Sequence, residues 1–116
     1  MIKSITTSQL SQLLADREPL TLLDVRRKAD YYAAPQKIPG AKWKDPEDLK
    51  VWINTLAPKD LTLVYCVRGG PVSQAVAKQL QGEGVDAVIL EGGIKAWEDD
   101  ERPVALAASM GSDIEV

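Results

Sequence analysis

The chain has no histidine, no phenylalanine and only one cysteine, Cys66, among its 116 residues. Without histidine, neither a Ser–His nor a Cys–His catalytic pair can be built, and no His-dependent metal site either. A lone cysteine cannot close an internal disulfide, so the fold does not depend on an oxidising compartment. No apolar run is long enough to span a bilayer, and the amino end, MIKSITTSQL, lacks the apolar stretch of a secretory signal. A formal charge of −3 gives no general electrostatic reason to bind nucleic acid or an anionic membrane. Together these absences predict a cytoplasmic protein.

What is present is the balance of an ordinary folded domain: 45% hydrophobic and 27% charged residues. The length suffices to bury about two thirds of the unfolded surface without staples. Strand-like and helix-like segments alternate. Ser4 to Thr6 reads as a short first strand, with Thr7 or Ser8 capping a helix that carries Leu10, Leu13 and Leu14. Leu20 to Val25 is a compact apolar run suited to a central strand. A short helix over Ala29 to Ala34 ends at Pro35, and Ile38-Pro39-Gly40-Ala41 turns into a brief strand at Ala41 to Trp43. Asp45-Pro46-Glu47-Asp48 starts a helix, with Asp as cap and Pro at its first position. Leu49, Trp52, Ile53 and Leu56 line its apolar face, and Pro58 closes it.

Thr62 to Tyr65 is a buried-type strand that delivers Cys66 to a glycine-containing loop, and Pro71 opens the next helix. Val72, Ala75, Val76 and Leu80 form its apolar stripe; Gly82 and Gly84 end it before a strand over Val85 to Leu90. Gly92-Gly93 leads into a last short helix holding Ile94 and Trp97. Repeated strand–helix units predict a parallel sheet with helices on both faces. One domain is expected over residues 1–104, followed by a loosely held tail, 105–116.

The thiol thus sits at the carboxyl end of a strand and beneath a helix start, the edge where open α/β sheets place ligands. Backbone amides and the dipole of a helix start favour an anion there, a thiolate included. The bland alternative is a small buried hydrophobe, the commoner fate of a lone cysteine; the strand–loop–helix setting reverses those odds.

Leu23-Asp24-Val25-Arg26, Ile38-Pro39-Gly40-Ala41, Tyr65-Cys66 with its loop, and Gly92-Gly93 followed by Trp97, in this order, resemble the single-domain rhodanese, or sulfurtransferase, family from about Ser4 to Pro103. Within the family, WKDPEDLKVW and CVRGGPVSQ are most similar to a branch found beside chromate-resistance genes. The resemblance implies an α/β rhodanese-like three-layer fold with a central, mostly parallel sheet of about five strands. It implies transfer of a sulfane sulfur from thiosulfate or a persulfide donor to cyanide or a thiol, through a persulfide on Cys66. No cofactor and no metal is expected. The partners expected are a small anionic donor, a thiol or cyanide acceptor and a protein sulfur acceptor as a further possibility.

Around Cys66, the substrate-binding candidates are Val67, Arg68, Gly69, Gly70 and Val72. Arg68 suits the sulfonate-like end of an anionic donor, or is simply a solvated loop arginine. Gly69 and Gly70 let amides turn toward a bound anion, or merely permit a tight turn. Asp24 and Arg26 are supporting residues, expected to pair and cap a turn. Pro71 stands where relatives commonly carry an N–H, removing one donor from the cradle. Lys37 stands where many relatives have histidine, a surface change. Trp52 and Trp97 are read as core, Trp43 as core or pocket border, and Glu98-Asp99-Asp100-Glu101 as a solvated helix end. Two other functions compete. A phosphatase or arsenate-reductase-like reading needs an arginine six residues after the cysteine, and Val72 occupies that position. A carrier or regulatory module serving a protein partner is compatible with an intact Cys66.

Overall fold

A computed structural model describes residues 2–56 and 60–106. Strands β1 (Ser4–Ile5), β2 (Leu20–Asp24), β4 (Lys42–Trp43), β5 (Leu61–Tyr65) and β6 (Ala87–Leu90) form one sheet, in the order β1-β6-β5-β2-β4. Every pairing in it is parallel. Leu10, Leu22, Leu63, Tyr65, Leu90, Ile94 and Trp97 pack on one face, beneath helices α1 (Thr7–Ala15) and α5 (Gly93–Asp99). Leu23, Val64, Ile89, Leu49, Trp52, Val76 and Leu80 pack on the other, beneath α3 (Leu49–Trp52) and α4 (Pro71–Gly82). Neighbouring strand residues alternate between these clusters, as the pleat requires, so both faces are covered and the strands read as continuous apolar runs. The three-layer α/β architecture expected from the chain is the one observed. No helix among the described residues is long and apolar enough to cross a membrane.

Local chemistry moves several boundaries. The cap of α1 is Thr6, not Thr7 or Ser8. Its Oγ1 accepts from the Gln9 amide at 3.1 Å while Gln9 Oε1 accepts from the Thr6 amide at 2.8 Å. Only Thr6 has a glutamine three residues on to close this reciprocal box. Asp45 caps the next segment as expected, accepting from Glu47 N at 2.9 Å. That segment begins and ends as 3-10 turns, Pro46–Asp48 and Ile53–Thr55, around the single α-turn of α3; Pro58 lies outside the described residues. Val85 belongs to the close of α4, where its amide donates to Leu80 O at 3.0 Å, so β6 starts only at Ala87. Within α4, Ala75 is exposed, and Ser73, Val76, Ala77 and Leu80 are buried. The helical period carries positions 73, 76, 77 and 80 along one face and turns 75 away.

A second, two-stranded sheet was absent from the sequence reading. β3 (Gln36–Lys37) pairs antiparallel with β7 (Ala105–Leu106). Two-residue strands carry no period to detect. β7 falls in the stretch 105–116 expected as a tail, whose remainder, 107–116, lies outside the described residues.

Two arrangements fix the edge of the sheet where β5 ends. The first is a backbone-to-backbone contact between the start of α5 and the residues after β5. Ile94 N donates to Cys66 O at 3.0 Å and Lys95 N to Val67 O at 2.9 Å. Gly93 makes this approach possible, because a Cβ there would lie 2.5 Å from both carbonyl oxygens, and its φ is +62°. The second is a buried ion pair just after β2. Arg26 Nη2 lies 2.7 Å from Asp24 Oδ2, with the residues only 2% and 0% exposed. The same guanidinium donates to Ala34 O at 2.7 Å and Gln36 O at 3.0 Å. It thereby ties the strand end to the segment that follows α2 (Lys28–Ala33).

Gly93→Ala is therefore expected to destabilise the fold by more than about 1 kcal/mol, since positive φ and a backbone clash both oppose the methyl. An unchanged midpoint in urea denaturation would contradict the close approach. Arg26→Ala strands a fully buried carboxylate, and a loss of about 3–5 kcal/mol is expected in the same assay near neutral pH. A loss of only a few tenths would mean that the pair is replaceable by solvent.

Candidate active site

Cys66 is the first residue beyond β5, and β5 is flanked on both sides by β2 and β6. Its side chain is only 6% exposed. The thiol donates to Ser73 Oγ at 3.2 Å, and that hydroxyl lies 3.4 Å from its own acceptor, Gly70 O. Residues 67–70 then loop back to α4, which starts at Pro71 with Gly70 as its cap residue and no side-chain cap bond. The backbone N–H groups of Val67, Arg68, Gly69 and Gly70 have no acceptor among the described residues. A loop of unpaired amides beside a helix start is a concentration of hydrogen-bond donors suited to an anion.

An open cleft of about 200 Å³ lies over this loop, with Cys66, Val67, Arg68, Gly70, Pro71 and Val72 on one side. Arg26, Arg27 and Asp30 form the other. Arg27, Asp30 and Arg68 are exposed and form no ion pair among the described residues. The cleft mouth therefore carries free charge of both signs, with the guanidinium groups in excess.

The structure thus brings Cys66, Val67, Arg68, Gly70 and Val72 together around one space, and Arg26 borders it. Gly69 and Asp24 do not line it. Gly69 supplies the turn: its φ is +74°, and a Cβ there would lie 3.0 Å from Gly92 N and Leu90 O. Asp24 is buried beneath Arg26, where its Oδ1 also accepts from the Arg26 amide at 3.0 Å. Burial alone would lower the pKa of Arg26, but hydrogen bonds and charge from Asp24 outweigh it and raise the pKa above the ordinary value. Burial also pushes the Tyr65 phenol well above its usual range, with the Asp24 carboxylate adding to the effect; the Tyr65 hydroxyl accepts from Ile38 N at 3.2 Å.

The tryptophans divide as follows. Trp52 and Trp97 are buried in opposite faces of the core. Trp43 stacks on Tyr31 with centroids 4.5 Å apart and donates to Arg26 O at 2.9 Å, so it props the cleft wall from behind instead of bordering the cleft. In the acidic stretch, Asp99 pairs with Lys95 and Asp100 with Arg102. Asp100 also accepts from the Thr7 hydroxyl.

Sequence reasoning missed Ser73, Arg27 and Asp30. Ser73 was findable: it stands three, four and seven residues before Val76, Ala77 and Leu80, a polar residue at the head of a buried stripe. Arg27 and Asp30 carried no such signal, because a charge on a short exposed helix is the ordinary case.

Known proteins share the fold and the family signature of this chain. The family model described as the Rhodanese-like domain matches residues 6–100. A putative sulfurtransferase of Bacillus subtilis, YtwF, is 36% identical over 102 residues, which cover 88% of this chain and 96% of that protein. A sulfurtransferase of Allochromatium vinosum is 32% identical over 105 residues, covering 90% and 95%. Among solved structures, a rhodanese-like domain protein from Staphylococcus aureus superposes with a TM-score of 0.79 at 30% identity, over 92% of this chain and 100% of that one. With a family model spanning nearly all of the described residues, the chain belongs to the rhodanese-like domain family.

Proposed function

We propose that this protein is a sulfurtransferase that passes a sulfane sulfur from thiosulfate or a persulfide donor to cyanide or a thiol, through a persulfide on Cys66. Membership of the family and the sulfurtransferase names of its relatives support sulfur transfer in general. The observation that carries the finer reading is the single cysteine in the lining of an open cleft, beside loop amides and an Arg68 that have no partner among the described residues. An inert packing cysteine needs none of these.

In the first half-reaction the Cys66 thiolate attacks the sulfane sulfur of the donor. A bond forms between Cys66 Sγ and that sulfur, the donor's S–S bond breaks, and its electron pair leaves with sulfite or a thiolate. In the second, the acceptor attacks the outer sulfur, and the pair of the enzyme's S–S bond returns to Sγ. One nucleophile serves both halves, so the donor product leaves before the acceptor reacts and the kinetics are ping-pong. Arg68 and Arg27 offer guanidinium groups to an anionic donor, with geometry suited to oxyanions. Pro71 withholds one amide from the cradle, so slow turnover with thiosulfate and better transfer from persulfides is expected. With Val72 six residues after the cysteine, the arginine clamp of a phosphatase-like site is missing. The cytoplasm is the compartment in which such a thiol stays reduced.

The decisive experiment is intact-protein mass spectrometry. Exposed to thiosulfate or a low-molecular-weight persulfide, the protein is expected to gain the mass of one sulfur atom and lose it on addition of cyanide. Cys66→Ser is expected to do neither. Transfer by Cys66→Ser would refute the assignment, and a wild type that takes sulfur only from a protein would make it a carrier. Arg68→Ala is expected to lower kcat/KM for thiosulfate about tenfold or more, the value of a charge-assisted hydrogen bond, with little change in stability because the residue is outside the core. Unchanged kcat/KM would place the guanidinium in solvent during the reaction.

A further inference from the structure

The buried hydroxyl of Ser73 has no structural duty that explains it. It is 0% exposed, on the third residue of α4, in a stripe otherwise made of Val76, Ala77 and Leu80. Among the described residues its only acceptor, Gly70 O, is 3.4 Å away, near the outer limit of a hydrogen bond. A polar group buried on so poor a bond costs stability that alanine would not. Its closest polar neighbour is the sulfur of Cys66, at 3.2 Å.

We propose that Ser73 is a further catalytic residue, whose hydroxyl donates to Cys66 Sγ whenever that sulfur bears negative charge. The inference rests on the sulfur-transfer reading for its place in the reaction, and on the Ser73–Cys66 contact for its chemistry. When Cys66 is a neutral thiol, its proton is directed to Ser73 Oγ across the 3.2 Å contact. Once that proton is gone, Sγ is only an acceptor. A serine hydroxyl is both donor and acceptor and turns freely about its C–O bond. Its hydrogen leaves the long bond to Gly70 O and points to Sγ, with no movement of a heavy atom. The thiolate occurs twice in the cycle: as the attacking nucleophile, and as the leaving group when the acceptor takes the outer sulfur and the S–S electron pair returns to Sγ. One hydroxyl serves both steps and never touches the donor.

The other charged groups around the sulfur are separate from this device. Arg26 and Arg27 border the cleft from the segment after β2, Asp30 from α2, and Arg68 from the loop. The start of α5 brings backbone amides to the loop, and its nearest charged side chain, Lys95, is paired with Asp99. Ser73→Ala leaves all of them in place and removes one oxygen, so the variant keeps its core.

The test is the pH profile of Cys66 alkylation by iodoacetamide in wild type and Ser73→Ala, read beside thermal unfolding and steady-state kinetics. The expected result is a profile displaced upward by about one pH unit, the size of a modest hydrogen bond to a charged group. The expected kinetic result is kcat lowered about tenfold with KM for the donor little changed. An unshifted profile in the folded variant overturns the proposal, as does faster alkylation at every pH, which would mean that the serine merely shields the sulfur. Alkylation does not require sulfur transfer. A shifted profile in a protein that acquires no sulfur upholds the Ser73–Cys66 coupling and refutes the transferase reading instead.

Discussion

The site depends on one close approach of backbone to backbone. At the start of α5, two consecutive amides, those of Ile94 and Lys95, donate to the carbonyl oxygens of Cys66 and Val67. This pins the residues immediately after β5 from below and commits their carbonyls. The N–H groups of the loop beyond are left without acceptors among the described residues. Buried or half-buried backbone donors need partners, and a loop built this way leaves its donors open to water or to an anion. The approach tolerates no side chain at Gly93, and the same crowding limits Gly92, where a Cβ would lie 2.5 Å from that of Ala96. A glycine pair where the turn after β6 enters α5 therefore shapes the loop after Cys66, although it contributes no functional group.

The opposite wall is built by charge. Arg26 is buried beneath the cleft and spends its hydrogen bonds on Asp24, Ala34 O and Gln36 O. A guanidinium so occupied is a strut, not a ligand clamp. Its exposed neighbours, Arg27 and Asp30, have no such commitments among the described residues. Tyr31 lies over the same guanidinium at 5.5 Å and stacks on Trp43, whose indole donates to Arg26 O. Pair, aromatic stack and strand end form one connected unit, and Arg26 is held within it while Arg27 and Arg68 have no ion pair among the described residues.

Much of this was legible in the chain because the signals are local. Thr62 to Tyr65 with Cys66 after it, a glycine loop and a proline-led helix give a strand, a thiol and a helix start by composition alone. The pairing of Asp24 with Arg26 followed from two opposite charges at a strand end. What escaped was either too short or too distant. β3 and β7 are two residues each and form only because tertiary packing brings positions 36–37 and 105–106 together. The cap of α1 shifted by one residue because a capping box needs the right partner three positions on, and Gln9 supplies it for Thr6 alone.

By itself the sequence determined the class of fold and the place of the single cysteine at the carboxyl edge of the sheet, since periodicity, turn residues and a lone cysteine are properties of the chain. The tertiary structure decided which groups meet that nucleophile. Ser73 is seven residues from Cys66 and reads as one more polar residue until α4 turns it inward against the sulfur. Gly93 reads as a turn until α5 is seen resting on the Cys66 carbonyl. Burial and close approach are properties of the packed molecule, which no local pattern in the chain reports.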